Sequence, residues 1–258
     1  KAELAETREQ RHQIWEKGAD VLVSELNRPE DAIEFLRFII DEAPDNLAVL
    51  KRLTGLYATT ERWEEWVEGL REQVELIDEP QELKALYTEM SEGYDGPLAN
   101  PDESIAALRC AMEQVPDDPE LLSALEERLK AESRWSEVVE LLDEAAEKIE
   151  ASDKDGRARL DLEVARIMST HLAMPGEAVE RYGSLIEHQP DCEAAVIALE
   201  ELLHGDESGE AATQVLEKHY RTQNDWNALA RVQALEAEKT RDDFSRQSLL
   251  IDLAQLHE

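Results

Sequence analysis

The side chains in this 258-residue chain best suited to hold a metal or drive a reaction are six histidines, two cysteines and 61 carboxylates. Their spacing organises none of that chemistry. His12, His171, His188, His204, His219 and His257 contain no His-Glu-x-x-His pair, the arrangement that sets two imidazoles on one helix face around zinc. Cys110 and Cys192 lie 82 positions apart, outside any Cys-x-x-Cys, and read as small helical residues. Carboxylate pairs for acid–base work are numerous, but such a pair needs an enclosed pocket to separate its two pKa values. Phosphate-cradling glycine loops and the Gly-x-Ser-x-Gly elbow are absent. Asp153-Lys-Asp-Gly156 starts like a calcium loop, yet Arg157 to Leu160 are wrong for the remaining ligands, so it reads as a turn. His204-Gly-Asp-Glu-Ser-Gly-Glu210 is acidic and would repel phosphate; it reads as a helix stop followed by a Ser208 cap. No catalytic residue, metal or cofactor is expected, and an enzyme with an unrecognised carboxylate site is the weakest of the readings.

Charge narrows the class of partner. Twenty-seven basic residues against 61 acidic ones give a formal charge of -34. The imbalance is spread: 6 basic against 11 acidic over 1–44, 15 against 35 over 45–190, and 6 against 15 over 191–258. Nucleic acid is disfavoured, because phosphate binding relies on Lys and Arg. Anionic membranes are disfavoured too, and no run reaches the roughly 18 apolar residues of a membrane span. A protein or peptide partner is expected, with basic character favoured. Lys1 to Arg11 are charged and already periodic rather than signal-like. A first residue other than Met and last residues that still read as helix suggest a piece of a longer protein, and two isolated cysteines fit a reducing, cytoplasmic setting.

The elements that would position any site are legible from an internal repeat. Arg28-Pro-Glu-Asp-Ala-Ile33 returns as Asn100-Pro-Asp-Glu-Ser-Ile105 and as Met174-Pro-Gly-Glu-Ala-Val179, 72 and 74 residues on. Closing prolines at Pro44, Pro116 and Pro190 keep the same spacing. Glu61-Arg-Trp63 recurs as Ser133-Arg-Trp135, and more loosely as Asn224-Asp-Trp226. Proline in a first helical turn gives up only an N–H that would be unpaired anyway, and acids behind it suit the positive end of the helix dipole. Asn100 with Glu103 three residues on has the form of an N-cap. Each unit therefore holds about four amphipathic helices that bury their apolar faces by stacking, some 12 to 14 in the whole chain. Trp63, Trp135 and Trp226, at equivalent places, are expected to pack between helices, Trp226 only partly.

These features resemble the tetratricopeptide repeat family. In residues 159–190, Leu162, Ala165 and Ser169 fall at the first-helix packing places, and Ala178, Tyr182, Leu185 and Pro190 at those of the second. Residues 13–44 match with Gly18, Ala32, Leu36, Ile39 and Pro44. In 47–80, Leu50, Leu53 and Tyr57 match, but Trp66 stands in the place of a small alanine, so looser or differently angled pairing is expected there. The composite pattern is similar to the long acidic arrays of myxobacterial and related bacterial proteins. The resemblance implies an all-α solenoid, a right-handed superhelix of helix–turn–helix repeats used as a scaffold or adaptor, with an architectural spacer as the alternative. It further implies that first helices line an inner groove, which nominates Lys17, Lys51, Ser123, Glu127, Glu163, Ile167 and Thr170 as partner contacts.

One break is expected. Pro44 precedes Tyr57 by 13 residues, whereas Pro190 precedes Tyr220 by 30. The 17 extra residues amount to a short helix and a turn, divided as Cys192–Leu203 and Ser208–Tyr220. The expected organisation is one array with sub-arrays 1–44, 45–116, 117–190 and 191–258 and an irregular junction near 203–210.

Overall fold

The computed structural model describes residues 7–150, 153–205 and 208–239. Thirteen α-helices account for nearly all of them, and no strand occurs among the described residues. They are α1 (Arg8–Ser24), α2 (Pro29–Glu42), α3 (Leu47–Thr59), α4 (Trp63–Val74), α5 (Pro80–Asp95), α6 (Pro101–Gln114) and α7 (Pro119–Ala131). After them come α8 (Trp135–Lys148), α9 (Lys154–Thr170), α10 (Pro175–His188), α11 (Glu193–Leu202), α12 (Gly209–Gln223) and α13 (Trp226–Lys239). The chain divides into two compact units, 1–128 and 129–258. In each, α1 through α6 and α8 through α13, helices adjacent in sequence pack on one another, the arrangement of a tetratricopeptide-like α-solenoid.

The repeat markers mark helix starts. Pro29, Pro101 and Pro175 open α2, α6 and α10, and Trp63, Trp135 and Trp226 open α4, α8 and α13. Side-chain caps satisfy the first N–H groups where an Asx residue is available. Asn46 accepts from Val49 N at 3.2 Å, Asn100 from Glu103 N at 3.4 Å, and Asp153 from Gly156 N at 2.9 Å. Ser208 stands at the N-cap of α12 as expected, but its hydroxyl makes no cap bond and donates back to Leu202 O at 3.1 Å.

A turn with one non-glycine residue in the left-handed region recurs six times, at Asn27, Glu61, Ala99, Ser133, Ala173 and Asn224, with φ between 47° and 57°. Three of these precede the proline-headed helices, and three precede the tryptophan-headed ones. The two kinds close differently. Ahead of tryptophan, Arg62, Arg134 and Asp225 N–H groups donate to Tyr57, Leu129 and Tyr220 carbonyls, five residues back, the longer bond of a Schellman cap. Ahead of proline, Arg28, Asn100 and Met174 donate to Leu22, Tyr94 and Met168, six residues back. This alternation is the double unit of the sequence repeat in backbone form.

α11 is the helix outside the pattern. It starts after Pro190 as α3 starts after Pro44, but its described link to α12 carries no left-handed residue. The following landmark turn, at Asn224, comes only after α12. The extra residues therefore form α11 and α12 as two separate helices where the earlier copies hold one. Residues 206–207 of the link lie outside the described residues. α12 also packs on α10, where a methyl built on Gly183 would stand 3.2 Å from Val215 Cγ1.

Candidate functional site

A solenoid's working surface is whatever its packing leaves free, so the interior and the bridges between hairpins come first. In the first unit Trp66 of α4 is 7 % exposed and lies against Gly93 of α5. A Cβ on Gly93 would stand 2.1 Å from Trp66 Cζ3. The bulky residue in a small residue's place is thus absorbed by a glycine on the next helix. The looser or differently angled pairing expected within 47–80 concerns α3 and α4, whereas this close contact is made to α5. Beside it, Gln73 Nε2 donates to Thr54 Oγ1 at 3.0 Å and to Gly69 O at 3.2 Å, a buried polar bridge between α4 and α3.

Cations tie successive hairpins together. Arg52 of α3 pairs with Asp20 of α1, and Lys51 of α3 with Glu82 of α5 at 3.5 Å. Lys84 of α5 holds Asp118 ahead of α7, and Arg128 of α7 holds Asp95 of α5. Arg71 of α4 reaches Glu103 of α6 at 3.1 Å and Tyr94 Oη at 2.7 Å. In the second unit Lys130 meets Glu163 at 2.6 Å, Arg181 meets Asp143 at 2.7 Å, and Lys218 meets Glu187. Partner residues in most of these pairs stand 31 to 38 positions apart, about one helical hairpin.

The groove positions implied by the family resemblance scatter. Lys17, Ser123, Glu127 and Thr170 are exposed on α1, α7 and α9, as is Lys51, already engaged with Glu82. Glu163 is half-buried; Arg166 and then Lys130 outweigh the cost of its burial and hold its carboxyl at about 2, against an ordinary 4.5. Thr170 donates to Arg166 O at 2.7 Å. Ile167 is a correction: it is fully buried and belongs to the core. Family position put it on the expected groove side, but it is buried with Val164. The tryptophans are less enclosed than expected. Trp63 and Trp135 are half-buried, the former edge-on to Trp66 and the latter stacked on His171 with ring centroids 3.6 Å apart. Trp226 is 47 % exposed.

Two clefts stand out, and neither is lined by those groove positions. One, of about 230 Å³, lies between α2, α3 and α4 in the first unit. Leu50, Leu53 and Tyr57 floor it, and Asp41, Glu65, Glu68 and Glu72 rim it with a single guanidinium, Arg37. Glu65 is bonded by Arg62, which holds its carboxyl below the usual range, and Glu68 is 3.7 Å from Arg71. Asp41 and Glu72 make no ion pair among the described residues. Burial pushes the Tyr57 hydroxyl up, so it stays protonated and can donate. Sequence reasoning missed this cleft because its residues come from three helices and match no motif.

The other cleft, of about 520 Å³, lies between α9 and α10 and carries Lys154, Arg157, Arg181 and His188. Its cations are mostly spent. Asp161 stands 3.8 Å from Arg157 and 3.7 Å from Arg181, which Asp143 also binds, and His188 Nδ1 is 2.7 Å from Ser184 O. No group of histidine, cysteine and carboxylate able to hold a metal occurs among the described residues, and no described helix is long and apolar enough to cross a membrane.

No family model and no curated protein matches the chain. Solved structures do. MamA is 16 % identical, with 69 % of this chain and 92 % of that one covered and a TM-score of 0.39. The helix pairing of this chain is itself that of a tetratricopeptide-like repeat fold. YrrB, described as a TPR protein with an unusual peptide-binding site, is 18 % identical over 71 % of this chain and 89 % of its own, with a TM-score of 0.37. A tetratricopeptide repeat protein from Parabacteroides merdae is 13 % identical over 95 % and 99 %, with a TM-score of 0.39.

Proposed function

We propose that the chain is a non-enzymatic protein-interaction scaffold with an acidic surface that takes basic segments of other proteins. The observation that supports this is the use made of its charges. Many of the cations bridge one hairpin to the next, while the α2/α3/α4 cleft keeps Asp41 and Glu72 without ion pairs above an apolar floor. A lysine or arginine fits such a place in two parts: its methylene stem lies over Tyr57 and Leu53, and its head reaches the carboxylates. Glu127, exposed on α7, and Lys17, Ser123 and Thr170 remain groove contacts within this reading. Nucleic acid is no partner of it, the setting is cytoplasmic, and the likeness to long acidic bacterial arrays belongs to the same proposal. So does the division into sub-arrays at 44, 116 and 190, with an irregular seam near 203–210 where α11 is added.

The test is a titration of a fluorescent peptide alternating lysine and alanine, at low and at physiological salt. The native chain binds it, and Asp41→Lys/Glu72→Lys weakens binding at least about fivefold with helicity unchanged, since exposed charges act within a Debye length of roughly 8 Å. Equal affinity for the double variant would remove the cleft from the account. A chain that bound no basic peptide at all would leave the spacer reading in its place.

A further inference from the structure

The α2/α3/α4 cleft holds two groups that a basic side chain alone leaves unused. Tyr57 is 7 % exposed and lines the cleft, yet its hydroxyl has no hydrogen-bond partner among the described residues. A hydroxyl taken that far out of water ordinarily finds one. Arg62 stands over the ring, 5.2 Å from its centroid, but is itself bonded to Glu65 at 2.9 Å. Arg37 is the free neighbour. After burial it is the charge that acts most on the Tyr57 hydroxyl, and it makes no ion pair among the described residues. A donor hydroxyl and an unspent guanidinium side by side suit an oxyanion. Asp41 stands four residues beyond Arg37 on α2, about 6 Å along the axis, and Glu72 lines the cleft from α4. The cleft is therefore polar in both signs, with donors at Arg37 and Tyr57 and acceptors at Asp41 and Glu72. A lysine inside a partner's sequence answers only the acceptors. It brings its ammonium towards Arg37, a like charge, and its backbone offers the donors no more than a neutral carbonyl.

We infer that the occupant of this cleft is the last residue of a partner chain, a C-terminal lysine. Its carboxylate is held by Arg37 and the Tyr57 hydroxyl, and its ammonium by Asp41 and Glu72. This rests on the reading of the cleft as a place for a basic side chain and adds which one. The two charges of a terminal lysine are separated by four methylenes and the Cα, a length comparable to the one-turn offset between Arg37 and Asp41. The stem lies over Leu50 and Leu53. At about 230 Å³ the cleft holds one such residue and not a run of them.

The probes are short acetylated alanine peptides titrated calorimetrically into the full chain. One ends in lysine as the free acid, one is the same peptide as its C-terminal amide, and one carries the lysine internally with an amide end. The chain's charge of -34 by itself favours the amides, each of which carries one more net positive charge than the acid. A preference for the acid therefore has to come from the site. The free acid binds at least about tenfold tighter than either amide, the scale of a hydrogen bond to a charged group. Arg37→Gln removes that preference and leaves the amides bound at least as well as before. Tyr57→Phe, which keeps the ring, reduces it, and Asp41→Asn/Glu72→Gln weakens all three peptides. Acid and amide binding alike, or an acid preference that survives both Arg37→Gln and Tyr57→Phe with helicity intact, would overturn the inference and leave the basic-side-chain reading standing. Binding of none of the three would remove both.

Discussion

Two interfaces at the same place in the repeat solve the same packing problem with opposite residues. At α4/α5 Trp66 meets Gly93; at α8/α9 the positions aligned with them, 72 and 74 residues on, are Val138 and Ile167. What the repeat keeps is the filled volume between helices, and that volume can be divided either way. The charges above each interface also differ. Glu163 on α9 is followed by Arg166, whereas Glu89, its counterpart on α5, is followed by Glu92. Glu163 is accordingly held at about 2 by Arg166 and Lys130. Glu89 keeps more than a third of its surface in solvent, yet the protein around it and then Glu92 push its carboxyl above the usual range.

Breaking the volume match should have the largest effect. Trp66→Ala leaves a cavity over Gly93 and should cost about 3–5 kcal/mol, read from urea midpoints. Gly93→Ile alone overpacks and should cost at least about 1–3 kcal/mol. The double change Trp66→Val/Gly93→Ile, which transplants the α8/α9 solution, should cost clearly less than the sum of its single changes. Strict additivity would mean that the two positions are not coupled.

The charge difference is sharpened by pH. A carboxylate whose folded pKa lies below its ordinary value binds its proton first in the unfolded chain. Glu163 therefore contributes stability that is complete above pH 4.5 and is lost as pH falls through about 2. Glu163→Gln should destabilise the chain at pH 7, with the gap from the native chain closing across that window. Glu89 has the opposite sign: its raised pKa is a penalty above its folded value, relieved on acidification, so Glu89→Gln should stabilise at pH 7 and lose that advantage below pH 4.5. Urea midpoints at pH 7 and pH 3 check both; a common sign for the two variants would refute the comparison.

The smallest effect lies in the turns both regions share. Ala99 and Ala173, ahead of α6 and α10, sit at φ 47° and 53°, where a Cβ is unfavourable. Ala173→Gly should stabilise by about 0.5–1 kcal/mol, net of the extra freedom glycine gains in the unfolded chain. A loss of stability on thermal melting would show that the turn is held by contacts of the methyl group instead.

The features legible in the sequence are those with a local cause. Proline at a helix start, a closing Pro-Asp, and tryptophan after a turn each act within a few residues, so the helix boundaries and the division of α11 from α12 could be read from spacing. The match of Trp66 to Gly93 could not, because the glycine that accommodates the ring stands 27 residues away and the other copy solves the problem without it. The left-handed turn residues carry no common side chain: Asn, Glu, Ala and Ser all serve. Ile167 was nominated by family position, but burial is decided by α9's own rotation. The same holds for the cleft of Asp41 and Glu72, assembled from helices whose individual patterns are ordinary. His257 and the rest of 240–258 lie outside the described residues.

In the proposed function spare carboxylates, above all Asp41 and Glu72, receive a basic partner. That role is tested most directly by calorimetric titration of the full chain with a lysine-rich peptide across a range of salt. The account predicts saturable binding that weakens steadily with salt and is reduced at least about fivefold by Asp41→Lys/Glu72→Lys. Binding that ignores both the salt and the substitution, or no binding of a basic peptide at any salt, would contradict it.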